Sequence, residues 1–176
     1  MSFPECLRKI LVEKILNSVE PHGSITLRES GVMAVKLSGL AADTIAIRLD
    51  RTGMSGLRGG PWKKCCDYLV VYQAVDTTRA LFVELKKSLS DSDPFEQLRR
   101  SLPWLKYLRS MCEIESGSSF PEPEVRYAVI ALKRHPRFDK QRTKQGGPAE
   151  TWSHGSIRGT LAIGASNVRL RHLWGN

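Results

Sequence analysis

The first apolar pattern along this chain has a helical period. Apolar residues recur at the spacing that places side chains on one face of a helix, at Leu7, Ile10, Leu11, Ile15 and Val19. Residues 2–5 (Ser-Phe-Pro-Glu) are of the types that begin a helix, and residues 21–23 (Pro-His-Gly) are of the types that end one. The pattern therefore predicts one amphipathic helix between these two signals.

The pattern then changes to the period of β-strands. Residues 24–30, 31–37 and 43–50 are each rich in strand-forming residues, and Ile45, Ile47 and Leu49 alternate with more polar positions. Ser30-Gly31 and Ser38-Gly39 are turn signals between them. We expect these segments to form the first strands of a sheet.

Residues 66–87 contain two apolar runs joined by a short polar link, which predicts a β-hairpin. If the turn centres on Val75 or Asp76, residues whose numbers add to about 151 or 152 face each other. Asp67 then lies opposite Glu84 or Leu85. Side chains alternate along a strand, so Glu84 and Lys86 point to the same face.

A second helix is predicted after the hairpin. Asp93-Pro94-Phe95-Glu96 is a helix start with Asp93 as N-cap, and a buried face follows, formed by Phe95, Leu98, Leu102, Leu105 and Leu108. Pro103 is expected to kink or break this helix. Residues 113–124 read as a surface loop and residues 125–132 as a central strand buried on both faces. Residues 157–166 predict a further strand, and residues 167–174 a short strand or helix.

This order of elements predicts an α/β fold with a central mixed β-sheet flanked by helices. A chain of 176 residues is long enough for one well-buried domain and short for two, so we expect a single domain over residues 1–176. A hydrophobic content of 41% is ordinary for a globular protein and argues against disorder throughout.

The charge balance is strongly basic. Lys and Arg number 27 against 18 Asp and Glu, which gives a net charge of +9. This excess favours a polyanionic partner, of which nucleic acid is the commonest, although a basic surface that only maintains solubility has the same composition. The four cysteines include no C-x-x-C pair and are expected to be buried thiols. With no apolar signal core and no membrane-spanning run, we expect a cytoplasmic protein without a membrane partner.

Three basic segments are candidates for binding a nucleic-acid backbone. Residues 51–64 form a glycine-rich segment without the Gly-Lys-Ser/Thr ending of a P-loop, and the second helix carries a basic face. A strongly basic stretch at residues 133–144 is too polar for a core and reads as an arm or a disordered loop. The candidate residues are Arg58, Lys63, Lys64, Arg100, Lys133, Arg134, Arg137, Lys140 and Arg142, with Trp62 either stacking on a base or packing at the core edge.

The hairpin also has the chemistry of a metal site. Two adjacent carboxylates repel each other unless a cation lies between them, and carboxylate oxygens suit Mg²⁺. A neighbouring lysine can hold a water or stabilise charge that develops on a phosphate, which is the chemistry of phosphodiester hydrolysis. Taken alone, however, a Glu and a Lys on one strand face are more often a solvated surface pair.

Asp67, the Glu84-Leu85-Lys86 segment and Gln97 on the following helix together resemble the PD-(D/E)xK nuclease superfamily, which has the restriction-endonuclease-like fold. The resemblance implies that Asp67 and Glu84 bind Mg²⁺ or Mn²⁺, that Lys86 is the catalytic lysine and that Gln97 supports the site. Glu13, on the first helix, is a further metal-ligand candidate by position. The chain departs from the motif at Cys66, which stands where the family name has proline.

The resemblance predicts a divalent-metal-dependent endonuclease that hydrolyses phosphodiester bonds of DNA, with RNA also open. Two alternatives on the same fold are a non-catalytic nucleic-acid-binding module and a subunit that depends on a partner. A homodimer is a further expectation, because such nucleases often cut two strands as dimers. Host defence, mobile-element biology and repair all remain open as biological settings.

Overall fold

The computed structural model describes residues 1–29, 31, 33–49, 65–89, 94–134, 150–154, 157–164 and 166–174. Its helices are α1 (Phe3–Ile10), α2 (Pro94–Ser116) and α3 (Leu170–Trp174), with a 3-10 turn at Glu13–Ile15. Its strands are β1 (Leu16–Ser18), β2 (Ser24–Glu29), β3 (Met33–Ser38), β4 (Ile45–Arg48), β5 (Tyr68–Gln73), β6 (Thr78–Leu89), β7 (Glu124–Arg134), β8 (Glu150–His154), β9 (Ile157–Ile163) and β10 (Asn167–Arg169).

Within these residues the main sheet has seven strands in the order β1-β4-β5-β6-β7-β9-β8. In this sheet β1–β4, β4–β5 and β5–β6 are antiparallel pairs, β6–β7 and β7–β9 are parallel pairs, and β8 is antiparallel to β9. The sheet is therefore mixed, as the sequence predicts. Helix α2 connects β6 to the parallel strand β7, as a parallel connection requires a crossover.

The inner strands of the main sheet, β4, β5, β6 and the middle of β7, are buried on both faces. One cluster places side chains such as Leu69 and Phe82 against α1 and α2, and the other packs Val70 and Val83 against the β2–β3 pair and α3. The residues of β5 and β6 alternate between these two clusters because the side chains of a strand alternate between faces. Glu84 and Lys86 share the parity of Phe82 and so lie on the helical face.

The N-terminal helix is shorter than predicted. Ser2 caps α1 as expected, and Glu5 completes the cap, since the Ser2 N–H donates to Glu5 Oε2 at 2.6 Å. The backbone becomes extended at Leu11, and the chain enters β1 at Leu16, where β4 supplies backbone partners. The apolar residues beyond Leu11 fit a helix by spacing, yet Ile15 belongs to one core cluster and Val19 packs against the other.

The second difference concerns β2 and β3. They were expected at the start of the main sheet, but with β10 they form a separate three-stranded sheet among the described residues, in the order β10-β3-β2. The predicted turn before the third segment is present, with Gly39 at a φ of 77° that glycine adopts without strain. Of the three early segments only β4 joins the main sheet, where it pairs with β1 and β5. Its residues Ile45, Ala46 and Ile47 are buried, so side chains on both faces of the strand are covered.

Helix α2 is longer than predicted and continues through Pro103 to Ser116. Pro103 is on the exposed side, where the carbonyl that loses its helical partner can bind water. Leu98, Leu105 and Leu108 hold both halves of the helix against the core. The helix ends at Gly117, with φ 65°, so the predicted loop begins four residues later than residue 113. The predicted N-cap, Asp93, lies outside the described residues.

The strands that follow agree with the prediction. Strand β7 lies between β6 and β9, and its residues 127–131 are buried, as expected for a central strand. Residues 157–163 form β9, and the C-terminal segment forms both a short strand and a short helix. No helix in the described part of the chain combines the length and the apolar character needed to cross a membrane.

Candidate active site

The β5–β6 hairpin has one of the two registers that the sequence predicts. Tyr68 pairs with Val83 and Val70 with Leu81, so the numbers of facing residues add to 151. Continuing the register by one residue places Asp67 opposite Glu84. On its other side, Glu84 pairs with Val129 of β7, so it lies in the interior of the sheet.

The side chain of Asp67 takes the place of a backbone hydrogen-bond acceptor at the point where β5 and β6 cease to pair. Its Oδ2 accepts a hydrogen bond of 2.7 Å from the backbone N–H of Leu85, just beyond the last paired residues, Tyr68 and Val83. Its own carbonyl oxygen accepts from the Leu49 N–H at 2.8 Å. These bonds on both sides fix the half-buried carboxylate at the entrance to β5.

Glu84 is an unusually buried acid, with only 1% of its surface exposed. Burial raises the pKa of Glu84 to about 8, and the negative charge of Asp67 adds to this rise, while Lys86 and the backbone of Asp67 oppose it. Glu84 Oε2 is buried without a hydrogen-bond partner in the described part of the protein. A buried carboxylate oxygen in this state is costly unless another group satisfies it.

The side chain of Lys86 connects strand β6 with helix α2. Its ammonium contacts Glu84 Oε1 and donates a hydrogen bond of 2.9 Å to Gln97 Oε1 on α2. The Lys86 side chain is 21% exposed, so solvent reaches it although Glu84 beneath it is covered. The four residues singled out in the sequence, Asp67, Glu84, Lys86 and Gln97, therefore form one connected cluster.

Ser101 belongs to the same cluster, and sequence reasoning missed it. Its Oγ accepts from the backbone N–H of Cys66 at 2.8 Å and donates to the carbonyl of Gln97 at 2.7 Å. A signal was available, because Ser101 is a polar residue within the apolar face of α2, between Leu98 and Leu105.

The cluster suits a divalent cation. Glu84 Oε2 is buried and has no partner among the described residues, Asp67 immediately precedes the adjacent strand β5, and both supply the hard oxygen ligands that Mg²⁺ and Mn²⁺ accept. The described residues contain no group of three His, Cys, Asp or Glu side chains able to hold a metal. Two carboxylates are nevertheless the usual protein contribution to a Mg²⁺ that also binds water and substrate phosphate.

Glu13 does not join this cluster. It is exposed in the 3-10 turn between α1 and β1 rather than on a helix. Two strands, β4 and β5, separate β1 from β6 in the sheet. Its prediction as a third metal ligand rested on the longer first helix, which the structure does not have.

Few of the residues predicted to bind nucleic acid fall in the described part of the chain. Arg100 is half-buried on α2 and pairs with Glu96 at 3.3 Å. Lys133 and Arg134 belong to the end of β7, opposite Ser88 and Leu89, and not to a separate arm. The remaining candidates lie outside the described residues: Arg58, Trp62, Lys63, Lys64, Arg137, Lys140 and Arg142.

The four cysteines are free and buried, as predicted. Burial raises the pKa of the Cys66 thiol well above its ordinary value, and the nearby carboxylates of Glu84 and Asp67 add to this rise. Cys66 is therefore a protonated thiol at neutral pH, and the cluster beside it has the character of a carboxylate–lysine site rather than of a thiolate nucleophile.

Fold and site together define a mixed α/β protein in which a carboxylate at the start of β5 lies beside a carboxylate and a lysine within β6. Comparisons with protein-family models, with curated proteins and with solved structures give no match for this chain.

Proposed function

We propose that this protein is a divalent-metal-dependent nuclease that hydrolyses phosphodiester bonds. The observation that carries the proposal is the convergence of Asp67, Glu84 and the Lys86–Gln97 pair, with one buried oxygen of Glu84 that has no hydrogen-bond partner among the described residues. Such a set of groups is poorly explained as a solvated surface pair, because Glu84 is almost fully covered.

The resemblance to the PD-(D/E)xK superfamily supports the same proposal. The order of a first helix, strands, a hairpin, a helix and a further strand agrees with a restriction-endonuclease-like domain. The Asp, Glu-x-Lys and Gln positions of the motif are the residues that lie together in space. We therefore propose this fold for the chain and Mg²⁺ or Mn²⁺ as its cofactor.

In this proposal Asp67 and Glu84 hold the metal, which supplies a Lewis acid and an activated water when it is bound. Lys86 places a positive charge at the solvent-accessible side of the carboxylates, where it offsets the negative charge that develops on the scissile phosphate. Gln97 holds the Lys86 ammonium in place through its Oε1. Glu84 would have to be ionised to act as a metal ligand, so binding of a cation would release the proton that burial keeps on its carboxyl group.

The substrate follows from charge. A net charge of +9 favours a polyanion, and a Lys beside a carboxylate pair suits a phosphodiester, so we propose nucleic acid as the substrate; the family resemblance favours DNA over RNA. The test is a cleavage panel of single-stranded, duplex and branched DNA and of RNA, each with Mg²⁺, with Mn²⁺ and with EDTA. Binding in EDTA with no product under either ion would instead indicate a non-catalytic module or a subunit that needs a partner.

Two variants test the assignment of residues. Glu84→Gln removes a ligand charge at nearly constant size, and Lys86→Ala removes the ammonium, so each should lower the cleavage rate by a factor on the order of 10² or more. Lys87→Ala is the matched control, because Lys87 is exposed and points away from the cluster. Cleavage by either variant at the wild-type rate, in protein that remains folded by circular dichroism, would contradict the proposal.

A further inference from the structure

We propose that Ser101 is a positioning residue that fixes the two halves of the site relative to each other; this inference rests on the proposed nuclease function. One half, with Asp67 and Glu84, belongs to the β5–β6 strands, and the other half begins with Gln97 on α2. The Ser101 hydroxyl lies between them and bonds to both.

The first bond is to the strand. The backbone N–H of Cys66 donates to Ser101 Oγ at 2.8 Å, and Cys66 is fully buried. The β5–β6 ladder ends at Tyr68 and Val83, so Cys66 precedes the paired region. A buried N–H without a partner is costly, and the serine hydroxyl supplies the acceptor. Since Asp67 is the next residue, this bond restrains the backbone that carries the Asp67 carboxylate.

The second bond is to the helix. Ser101 Oγ donates to the backbone carbonyl of Gln97 at 2.7 Å, one helical turn earlier. Serine bonds of this kind slightly destabilise and often bend a helix, so they carry no stability advantage for α2 itself. A hydroxyl has one hydrogen to donate, and here it is directed at the residue whose side chain holds Lys86.

Three hydrogen bonds therefore connect the residue before Asp67 with the Lys86 ammonium, two of them at Ser101 and the third at the side chain of Gln97, whose backbone carbonyl accepts from Ser101. Ser101 is fully buried and touches neither carboxylate by a hydrogen bond, so it acts through its neighbours. Groups that orient a metal ligand from behind typically change metal affinity or activity by about 10- to 100-fold when they are removed.

The test compares Ser101→Ala with Thr160→Val. Thr160 is also buried, and its hydroxyl donates to the Leu173 carbonyl at 3.0 Å, outside the cluster. Both variants thus remove a buried hydroxyl that bonds to the backbone: Ser101→Ala loses two such bonds and Thr160→Val loses one. The first readout is Mn²⁺ affinity by calorimetric titration, which needs no substrate. We expect Ser101→Ala to bind Mn²⁺ about 10-fold or more weakly and Thr160→Val to match the wild type.

The second readout separates kcat from KM on the preferred substrate. We expect Ser101→Ala to lower kcat with little change in KM, and Ser101→Thr, which keeps a hydroxyl able to bond one turn back, to restore most of it. Equal Mn²⁺ affinity and kcat for Ser101→Ala and Thr160→Val would overturn the positioning role while leaving the nuclease proposal intact. A wild-type protein that binds no Mn²⁺ would overturn both.

Discussion

Glu84 is a buried acidic side chain whose charged form is disfavoured by its surroundings. Its carboxylate is covered, adjoins the negative charge of Asp67, and is relieved in part by Lys86. A buried ion pair of this kind is weak evidence for stability, because desolvation offsets much of the attraction. The presence of this acid in the interior of the sheet is better explained by a role in chemistry, because strongly perturbed carboxylates are concentrated at functional sites.

The raised pKa of Glu84 leads to a prediction about the metal-free protein. In the folded state the pKa of Glu84 is about 8, whereas its ordinary pKa is 4.5. The bound proton therefore contributes its full stability below pH 4.5, and this contribution is lost as the pH rises through 8. Each tenfold change in proton affinity corresponds to about 1.4 kcal/mol, so the loss is on the order of 5 kcal/mol. Urea denaturation in EDTA at pH 5 and pH 9 measures it.

Glu84→Gln is the comparison for that measurement, because glutamine has nearly the same shape and does not ionise. The variant should lack this part of the pH dependence, so its advantage in free energy of unfolding over the wild type should grow from pH 5 to pH 9. Parallel stability profiles for the two proteins would show that Glu84 titrates as an ordinary exposed carboxyl.

At the scale of elements, the site depends on how the strands beyond β6 pack against one another and against α2. Strands β7, β9 and β8 follow β6 across the sheet, and Tyr127, Gly159 and Trp152 lie side by side in them. A Cβ at Gly159 would lie 2.3 Å from the Trp152 ring and 2.5 Å from the Tyr127 carbonyl oxygen. Trp152 packs in turn on Phe95 at the start of α2, with ring centroids 4.2 Å apart.

We therefore predict that Gly159→Ala destabilises the protein strongly, by roughly 3 kcal/mol or more, as overpacking against backbone does. Thermal unfolding measures the effect. Gly117→Ala is the control: it has open space around the added methyl and only the cost of its φ of 65°, about 1 kcal/mol. Equal losses in the two variants would mean that β8 and Trp152 do not pack as described.

At the scale of the whole molecule, the excess of positive charge should govern how nucleic acid binds. Each cationic side chain that contacts a phosphate contributes about −0.9 to the slope of log K against log salt for duplex DNA. Removing one such side chain therefore makes the slope shallower by this amount. We predict that replacing Arg137, Lys140 and Arg142 with alanine flattens this slope by up to about 3. Fluorescence anisotropy in EDTA over a series of salt concentrations measures binding without cleavage.

The matched control removes three other cations, Arg158, Arg169 and Arg171, which are exposed on the C-terminal strands and α3. Both triple variants have the same net charge, so a purely nonspecific effect of charge would flatten the two slopes equally. We expect the first variant to show the larger change, because the basic stretch at residues 133–144 concentrates its charge in sequence. Equal slopes would contradict a local binding segment.

Local patterns were sufficient for the hairpin and for its register to within one residue. The apolar runs of β5 and β6 and the short polar link predict that Asp67 faces Glu84 or Leu85, and the structure has the first of these two registers. The start of α1, the central strand β7 and the buried thiols follow in the same way from residue types and alternation. Each of these features depends on neighbours close in the chain or on burial alone.

Contacts between distant segments decided the rest. Spacing alone carries the first helix past Leu11, but pairing of β1 with β4 ends it and removes Glu13 from the site. Likewise β3 pairs with β10 from the far end of the chain, which makes a second sheet, and the buried leucines of α2 hold it continuous through Pro103. The Ser101 bond to Cys66 joins residues 35 positions apart. Sequence periodicity reports which face is apolar, whereas the partner that covers that face is a property of the folded chain.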